Sequence, residues 1–228
     1  MNREIEQIVV GDIATNCWIY PFEGKSSGET GYCAVIDPGD EAQSIVSRLE
    51  ELNLIPAYIL LSHGHFDHLA GLPDLIEAFR SGVFASYPVP KVGIHSQDAG
   101  YLGKDSLDIH RKSITAAGGS PAFVDALWKD MPDPDTLFEE GDMAGPLKVL
   151  HLPGHSPGSA AFYDEKTEVL FSGDTMFKRS WGRTDLPGGD EDLLYKSLKR
   201  LLAMNGNITV CPGHGPATTI KNEAGLLV

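Results

Sequence analysis

Residues 62–68, with the sequence SHGHFDH, constrain the fold most because they place three histidines and one aspartate in one short segment. Neutral imidazole nitrogens and carboxylate oxygens suit Zn²⁺, Fe²⁺ and Mn²⁺, and the segment offers no thiolate for a closed cysteine-type zinc site. A solvated His-rich loop is the alternative interpretation of such a segment. The context favours a metal site, because residues 57–61 form an apolar run of strand length and residues 69–80 carry apolar side chains at helical spacing.

The cluster lies between a predicted strand and a predicted helix, so its side chains are expected to point in two different directions. Alternate residues of an extended segment point the same way, so His63 and His65 face one metal ion. The turn into the following helix directs Asp67 and His68 towards a second position. The segment therefore predicts two adjacent metal sites.

Three further candidate ligands each follow a strand-like run and lie in a turn rich in glycine or proline. They are His155 in PGHSPG, Asp174 in GDT and His214 in PGHGP. Loops just past strands are where layered α/β folds place binding and catalytic residues. We interpret the three residues as additional ligands.

The order of these motifs resembles the metallo-β-lactamase superfamily, and the resemblance covers nearly the whole chain. The segments GRTDLPGGD at 182–190 and GHGPATT at 213–219 are similar to those of the glyoxalase II-like branch. This resemblance implies an α/β fold, specifically a four-layer αββα sandwich with a two-metal site along one edge. Ser62 and Leu152 stand where the family usually has threonine, and neither position is a ligand.

The resemblance also implies how the seven candidate ligands divide between two divalent ions. Zn²⁺ is the first expectation, with Fe²⁺ and Mn²⁺ as alternatives. The first ion would be held by His63, His65 and His155, the second by Asp67, His68 and His214, and Asp174 would bridge them.

The implied activity is the hydrolysis of a small acyl thioester, as in hydroxyacylglutathione hydrolases. A hydroxide shared by the two metal ions would attack the acyl carbonyl, and Asp67 would orient that hydroxide besides binding metal. A thioester suits this site because a thiolate, whose conjugate acid has a pKa of about 8.5, leaves without a dedicated general acid.

Three other functions stay open. One is the hydrolysis of other esters or lactones by the same site. Another is an iron-dependent glutathione persulfide dioxygenase, in which His63, His155 and Asp174 would hold a single Fe²⁺. A metal-binding module without catalytic activity is the third.

A basic cluster follows the expected bridging ligand and comprises Lys178, Arg179 and Arg183. We interpret the cluster as a contact for a small anionic substrate. Two roles stay open for Arg183, which could pair with Asp185 or hold a substrate carboxylate, because arginine makes bidentate contacts of both kinds.

Composition limits the partners and the compartment. The formal net charge of −14 disfavours a nucleic-acid partner, because an acidic surface repels phosphates. No apolar stretch is long enough to span a bilayer, and the N-terminus lacks a signal-peptide pattern. The three cysteines are odd in number and widely separated, which is typical of a reducing compartment. We therefore expect a cytoplasmic monomer or homodimer that acts on a small acyl thioester, glutathione-derived ones included, without a membrane partner.

We predict one domain over residues 1–228, because a chain of this length with 42% hydrophobic residues can bury a sizeable core. An insert at about 81–145 is expected to cover the mouth of the site. Only fourteen residues follow His214, which predicts that the C-terminal helical domain that binds glutathione in full-length glyoxalase II enzymes is absent. The histidines expected in packing or surface roles are His95, His110 and His151.

Two helices carry recognisable start signals. Asp40 is expected to cap a helix, with Gln43 three residues later completing a capping box. A last helix is predicted to begin near Asp190, with five leucines facing inward. These leucines are Leu193, Leu194, Leu198, Leu201 and Leu202.

Overall fold

The computed structural model describes residues 4–23 and 30–227. Within these ranges, two six-stranded mixed sheets pack face to face, and helices cover their outer surfaces. This arrangement confirms the predicted α/β, four-layer αββα sandwich.

The first sheet is built from the N-terminal half of the chain. Its strands are β1 (Glu6–Val10), β2 (Thr15–Glu23), β3 (Gly31–Ile36), β4 (Leu54–Leu60), β5 (Lys91–His95) and β6 (Thr136–Phe138). They lie in sequence order across the sheet, and β1 to β3 are antiparallel whereas β3 to β6 are parallel. The parallel strands end at the same edge, so the segment after β4 begins there.

The second sheet is built from the C-terminal half of the chain. The strands of this half are β7 (Met143–Ala144), β8 (Leu147–His151), β9 (Ala160–Asp164), β10 (Val169–Gly173), β11 (Met176–Phe177), β12 (Ser180–Trp181), β13 (Thr209–Pro212) and β14 (Thr218–Thr219). The sheet order is β14-β13-β10-β9-β8-β7, and β11 and β12 form a separate hairpin. Because β10 and β13 are parallel neighbours, the turns that follow them are adjacent.

Helices occupy the connections between strands. They are α1 (Ala42–Glu51), α2 (Phe66–Leu69), α3 (Leu72–Arg80), α4 (Leu107–Ala116), α5 (Pro121–Leu127) and α6 (Glu191–Leu202), with 3₁₀ helices at Ser96–Tyr101 and Ile220–Glu223. No helix in the described part of the chain is both long and apolar enough to cross a bilayer.

Three apolar layers hold the sandwich together. Phe162 and Phe171 lie in the interface between the two sheets, and both are fully buried. Leu49 and Phe79 pack α1 and α3 against the first sheet, and Leu198 packs α6 against the second. Full burial of one such side chain stabilises the folded state by about 1.5–3 kcal/mol.

The start of α1 differs from the prediction. Glu41, with a φ of +49°, occupies the cap position and makes no side-chain cap hydrogen bond, so neither Asp40 nor Gln43 forms a capping box. The Asp40 carboxylate instead accepts a hydrogen bond from the Glu41 N–H at 2.6 Å. The preceding turn explains this change, because a Cβ at Gly39 would lie 1.8 Å from the carbonyl oxygen of Asp67. Tertiary contact with the histidine-rich segment therefore fixes the turn.

The helix predicted over residues 69–80 is interrupted. The short helix α2 ends at Leu69, and the Gly71 N–H donates to the Pro38 carbonyl at 3.0 Å before α3 begins. Pro73 stands in the first turn of α3, where its missing N–H leaves no helical hydrogen bond unmade. The interruption separates the ligand-bearing turn from the packing helix.

The start of α6 agrees with the prediction. The Asp190 carboxylate accepts a hydrogen bond from the Leu193 N–H at 2.9 Å. The prediction that the Leu193 side chain faces inward is wrong, because it is exposed. The buried stripe runs through Leu194, Leu198 and Leu201, and Leu193 lies about 100° around the helix from Leu194.

Candidate metal centre

All seven predicted ligands meet at one edge of the sandwich. The segment after β4 supplies four of them, and the loops after β8, β10 and β13 supply one each. The Ala160 N–H donates to the Ser62 carbonyl at 2.8 Å, which joins the two sheets beside these loops. These predicted ligands are His63, His65, Asp67, His68, His155, Asp174 and His214.

The first group comprises His63, His65 and His155, all buried. His155 Nε2 lies 2.8 Å from His65 Nδ1 and 3.2 Å from His63 Nε2. Three ring nitrogens therefore converge on a small region, which is the donor geometry that a divalent cation needs.

The second group comprises Asp67, His68 and His214. Asp67 Oδ2 lies 3.3 Å from His68 Nε2 and 3.3 Å from His214 Nε2. His68 is buried, whereas Asp67 and His214 are partly exposed. This side of the centre therefore faces the opening.

The carboxylate of Asp174 lies between the two groups. Its Oδ1 is 3.4 Å from His68 Nε2, and its Oδ2 is 3.6 Å from both His155 Nε2 and His214 Nε2. A carboxylate shared in this way is placed to bridge two cations.

Unpartnered atoms support a metal at this position. His68 Nε2 and Asp174 Oδ1 are buried and have no hydrogen-bond partner within the described ranges. Leaving such atoms unsatisfied is costly, and cations at the two positions would complete their coordination. The residues therefore suit two divalent ions.

Burial and neighbouring charges set the protonation of the ligands. Burial lowers the pKa of His63 well below its usual range and that of His65 to about 3. Burial would also lower the pKa of His68, but Asp67 and Asp174 raise it well above its usual range. His63 and His65 consequently present neutral nitrogens, whereas His68 must lose a proton when it binds metal.

Two buried carboxylates that we did not predict orient the ligand segments. Asp37 Oδ2 accepts a hydrogen bond from Ser62 Oγ at 2.7 Å and lies 3.0 Å from His68 Nδ1, and its Oδ1 accepts from the Ser62 N–H at 2.7 Å. Asp37 follows β3 in an Asp-Pro-Gly turn, so the criterion applied to the ligands would have found it.

Asp98 performs the same task for the first group. Its carboxylate accepts hydrogen bonds from the Gly64 N–H at 2.9 Å, Ser156 Oγ at 2.7 Å and the Gly158 N–H at 2.7 Å. These bonds join the loop of His63 and His65 to the loop of His155. Asp98 lies inside a 3₁₀ helix, where no sequence signal marks it.

The start of β2 supports the second group. Thr15 Oγ1 donates to Asp67 Oδ2 at 3.0 Å. Asn16 Nδ2 and Trp18 Nε1 donate to the Pro212 carbonyl at 2.9 and 3.0 Å, just before His214. The loop of His214 is therefore anchored to the first sheet.

The basic cluster separates into two locations. Arg183 pairs with Asp185 through two bonds of 2.6 and 2.7 Å, and its carbonyl oxygen lies 2.7 Å from His155 Nδ1. Lys178 and Arg179 lie exposed at the turn of the β11–β12 hairpin and do not line the cavity beside the ligands. Substrate contacts by these three residues stay a proposal.

A cavity of about 220 Å³ adjoins the ligands. Side chains of α4 and α5, within the predicted insert, form one wall together with Phe66 and Leu186. Among the histidines outside the ligand set, His110 is buried in this wall and its Nε2 lies 2.9 Å from the Tyr101 carbonyl. His95 and His151 stack on each other, with 3.9 Å between ring centroids.

Comparisons with known proteins agree with this geometry. The family model described as "Metallo-beta-lactamase superfamily" matches residues 11–214. The chain is 33% identical over 222 residues to hydroxyacylglutathione hydrolase GloC of Haemophilus influenzae, covering 96% of this chain and 94% of that one.

Two solved structures are similar over nearly their full lengths. BLEG-1 B3 metallo-beta-lactamase is 32% identical with a TM-score of 0.76 and 97% coverage of both chains. TTHA1623, in a di-iron-bound form, is 35% identical with a TM-score of 0.75 and 96% coverage of both.

Proposed function

The chain belongs to the metallo-β-lactamase superfamily and is a metallo-hydrolase with a histidine-rich binuclear site, and on that premise we propose that its substrate is a small acyl thioester. The observation that carries the proposal is the position of the Asp174 carboxylate within 3.6 Å of nitrogens from both ligand groups. Similarity to a hydroxyacylglutathione hydrolase over 96% of this chain supports the thioester.

The reaction breaks the carbon–sulfur bond of the thioester, forms a carbon–oxygen bond with water and yields a carboxylate and a thiol. Divalent ions, when bound, would supply a water of lowered pKa and Lewis-acid stabilisation of negative charge. Asp67, held by Thr15, would accept a proton or a hydrogen bond from that water.

Thioesters and amides differ in whether the leaving group needs a proton donor. Outside the ligand set, His110 in the cavity wall has a pKa lowered to about 4 by burial, so this imidazole is neutral at physiological pH and is a poor acid. A thiolate needs no such acid because its conjugate acid has a pKa of about 8.5. This contrast supports a thioester substrate.

We propose Zn²⁺ as the native metal and Fe²⁺ as the alternative. Nitrogen and carboxylate donors accept both ions, and the similar protein TTHA1623 is known in a di-iron-bound form. Metal analysis of the protein purified without added metal distinguishes the two.

Turnover of S-lactoyl glutathione and S-acetyl glutathione by the metal-loaded protein tests the activity. We expect hydrolysis that a chelator abolishes and that Asp174→Ala reduces at least about 100-fold, which corresponds to about 2.7 kcal/mol in the barrier. Asp192→Ala, an exposed position in α6, is the matched control and should retain the wild-type rate. Opening of lactones, or oxygen consumption with glutathione persulfide, in the absence of thioester turnover would replace the proposal by one of those activities.

A further inference from the structure

Apolar side chains form one wall of the cavity beside the ligands. We call this wall the apolar recess. Its side chains are Ile13, Phe66, Ile114, Phe123, Leu127 and Leu186. His65, Asp67 and His155 line the same cavity, so the recess is continuous with the metal centre.

Charges around the recess disfavour an anionic occupant. Arg183 is the only lysine or arginine lining the cavity within the described chain, and its Nε and Nη2 both donate to Asp185. Asp12 and Asp40 also line the cavity. Away from the ions that the ligands would hold, a carboxylate against the recess would meet these like charges, and two of the three guanidinium nitrogens of Arg183 already pair with Asp185.

Exposure at the mouth of the recess indicates an apolar ligand. Ile13 is 60% exposed, and Phe123 and Leu127 are each 41% exposed. Clustered exposed apolar side chains beside a site are typical of ligand binding, because a ligand that covers them removes apolar surface from water.

The size of the recess limits the occupant further. The whole cavity, including the space beside the ligands, has a volume of about 220 Å³, which is below the ~300–1,000 Å³ of pockets that hold drug-sized ligands. A tripeptide thiol such as glutathione, with two carboxylates, is too large and too polar for it. A short hydrocarbon chain suits both its volume and its walls.

We infer that the apolar recess binds the acyl group of the thioester, and that the preferred acyl group is a short, uncharged hydrocarbon chain. This inference rests on the proposed thioesterase function. The carbonyl carbon would lie at the ligands, the acyl chain against α4 and α5, and the thiol towards the open side of the centre.

A series of substrates that share one neutral thiol tests the inference. S-Acetyl, S-butanoyl and S-hexanoyl N-acetylcysteamine differ only in acyl length. We expect kcat/KM to rise about fourfold for each added methylene until the recess is filled. The S-acetyl esters of ethanethiol, butanethiol and hexanethiol form the complementary series, in which we expect little change. A dependence on thiol length instead of acyl length would overturn the inference.

Polar substitutions at the mouth of the recess test whether the dependence of kcat/KM on acyl length arises there. Phe123→Ser and Leu127→Ser should each lower the ratio of kcat/KM for hexanoyl over acetyl ester at least about fivefold, because they remove apolar surface that only the longer chain covers. Leu137→Ser is the matched control, since Leu137 is a comparably exposed apolar residue that does not line the cavity. An unchanged ratio in both recess variants would contradict the assignment.

The binding of analogues that cannot be hydrolysed tests the recess independently of the proposed thioesterase function. S-Methyl, S-butyl and S-hexyl thioethers of N-acetylcysteamine cannot be hydrolysed, and calorimetry measures their affinity directly. If no thioester is turned over, the proposed function fails, and affinity that rises with alkyl length and falls in Phe123→Ser still identifies an apolar-ligand site. Affinity that is independent of alkyl length overturns the recess assignment whether or not thioesters are hydrolysed.

Discussion

The carboxylate of Asp37 lies 3.0 Å from His68 Nδ1, and both side chains are buried. The contact leaves His68 Nε2 directed towards Asp67 and Asp174, at 3.3 and 3.4 Å. A carboxylate on the remote nitrogen of a metal-binding histidine fixes the ring orientation and raises its basicity. Asp37 therefore determines how the second group presents its buried nitrogen.

Asp37→Asn should weaken metal binding at the second position about 10- to 100-fold, because the amide cannot accept from Ser62 and from His68 as the carboxylate does. Metal content after dialysis against a competing chelator measures this. Asp98→Asn provides the contrast, since it alters the loops of the first group. If both variants lost metal equally at both positions, neither carboxylate would support one ligand group selectively.

Substitution of Asp174 should affect both metal positions together. Its carboxylate lies within 3.6 Å of nitrogens from both groups, so Asp174→Ala removes a donor from each. We expect metal content after dialysis to fall at both positions, measured by elemental analysis and compared with Asp192→Ala. Retention of one fully occupied position would mean that Asp174 binds a single ion.

The order of the motifs supported the resemblance to the metallo-β-lactamase superfamily, and that resemblance implied both the sandwich and the proposed ligand set. Each ligand follows a strand, and strands of one sheet that run in parallel bring their following turns to the same edge. His155, Asp174 and His214 are 19 or more residues apart, yet the turns that carry them meet for this reason. Strand-end turns are local features, so the sequence displays them.

Other parts of the centre depend on contacts that the sequence does not display. Asp98 accepts hydrogen bonds from Gly64 and Gly158, which are 34 and 60 residues away. The start of α1 follows from the close approach of Gly39 to Asp67, which overrides the local capping preference. The apolar recess likewise requires the packing of α4 and α5 over the ligands, which helical periodicity cannot locate.

Arg183→Ala tests whether the arginine that lines the cavity binds an anionic substrate. Because its guanidinium is held by Asp185, we expect KM for charged and uncharged thioesters to change by the same factor. The pair is solvent-exposed, so thermal unfolding should change little. Asp185→Asn is the companion variant. A rise in KM confined to anionic substrates would assign the guanidinium to the substrate.

His110 should make the stability of the protein sensitive to acid. Burial lowers its pKa to about 4 in the folded chain, against about 6.5 when unfolded. Below pH 6.5 the unfolded chain takes up a proton that the folded chain does not bind until about pH 4. The free energy of unfolding therefore falls across this window, by ~3 kcal/mol at most from this group, and the contribution is constant above it.

His110→Gln isolates that contribution because the glutamine side chain can still donate to the Tyr101 carbonyl. We expect the variant to lose less stability than the wild type between pH 6.5 and 4, as measured by urea unfolding of metal-free protein. The other histidines titrate identically in both proteins and cancel in the difference. Parallel stability curves would show that folding does not lower the pKa of His110.

Gly213→Ala should disrupt the metal centre sterically without removing a ligand. A Cβ there would lie 2.2 Å from Asp174 Oδ1 and 2.7 Å from His68 Cε1, and neither group has room to yield because both are buried. We expect metal affinity to fall at least about 10-fold at both positions. Gly100→Ala is the matched control, because apart from its chain neighbours and the local helix backbone no atom lies within 4 Å of its Cβ position. If Gly213→Ala retained wild-type metal content under chelator competition, Asp174 would have to bind metal through a position other than the one it occupies between the two groups.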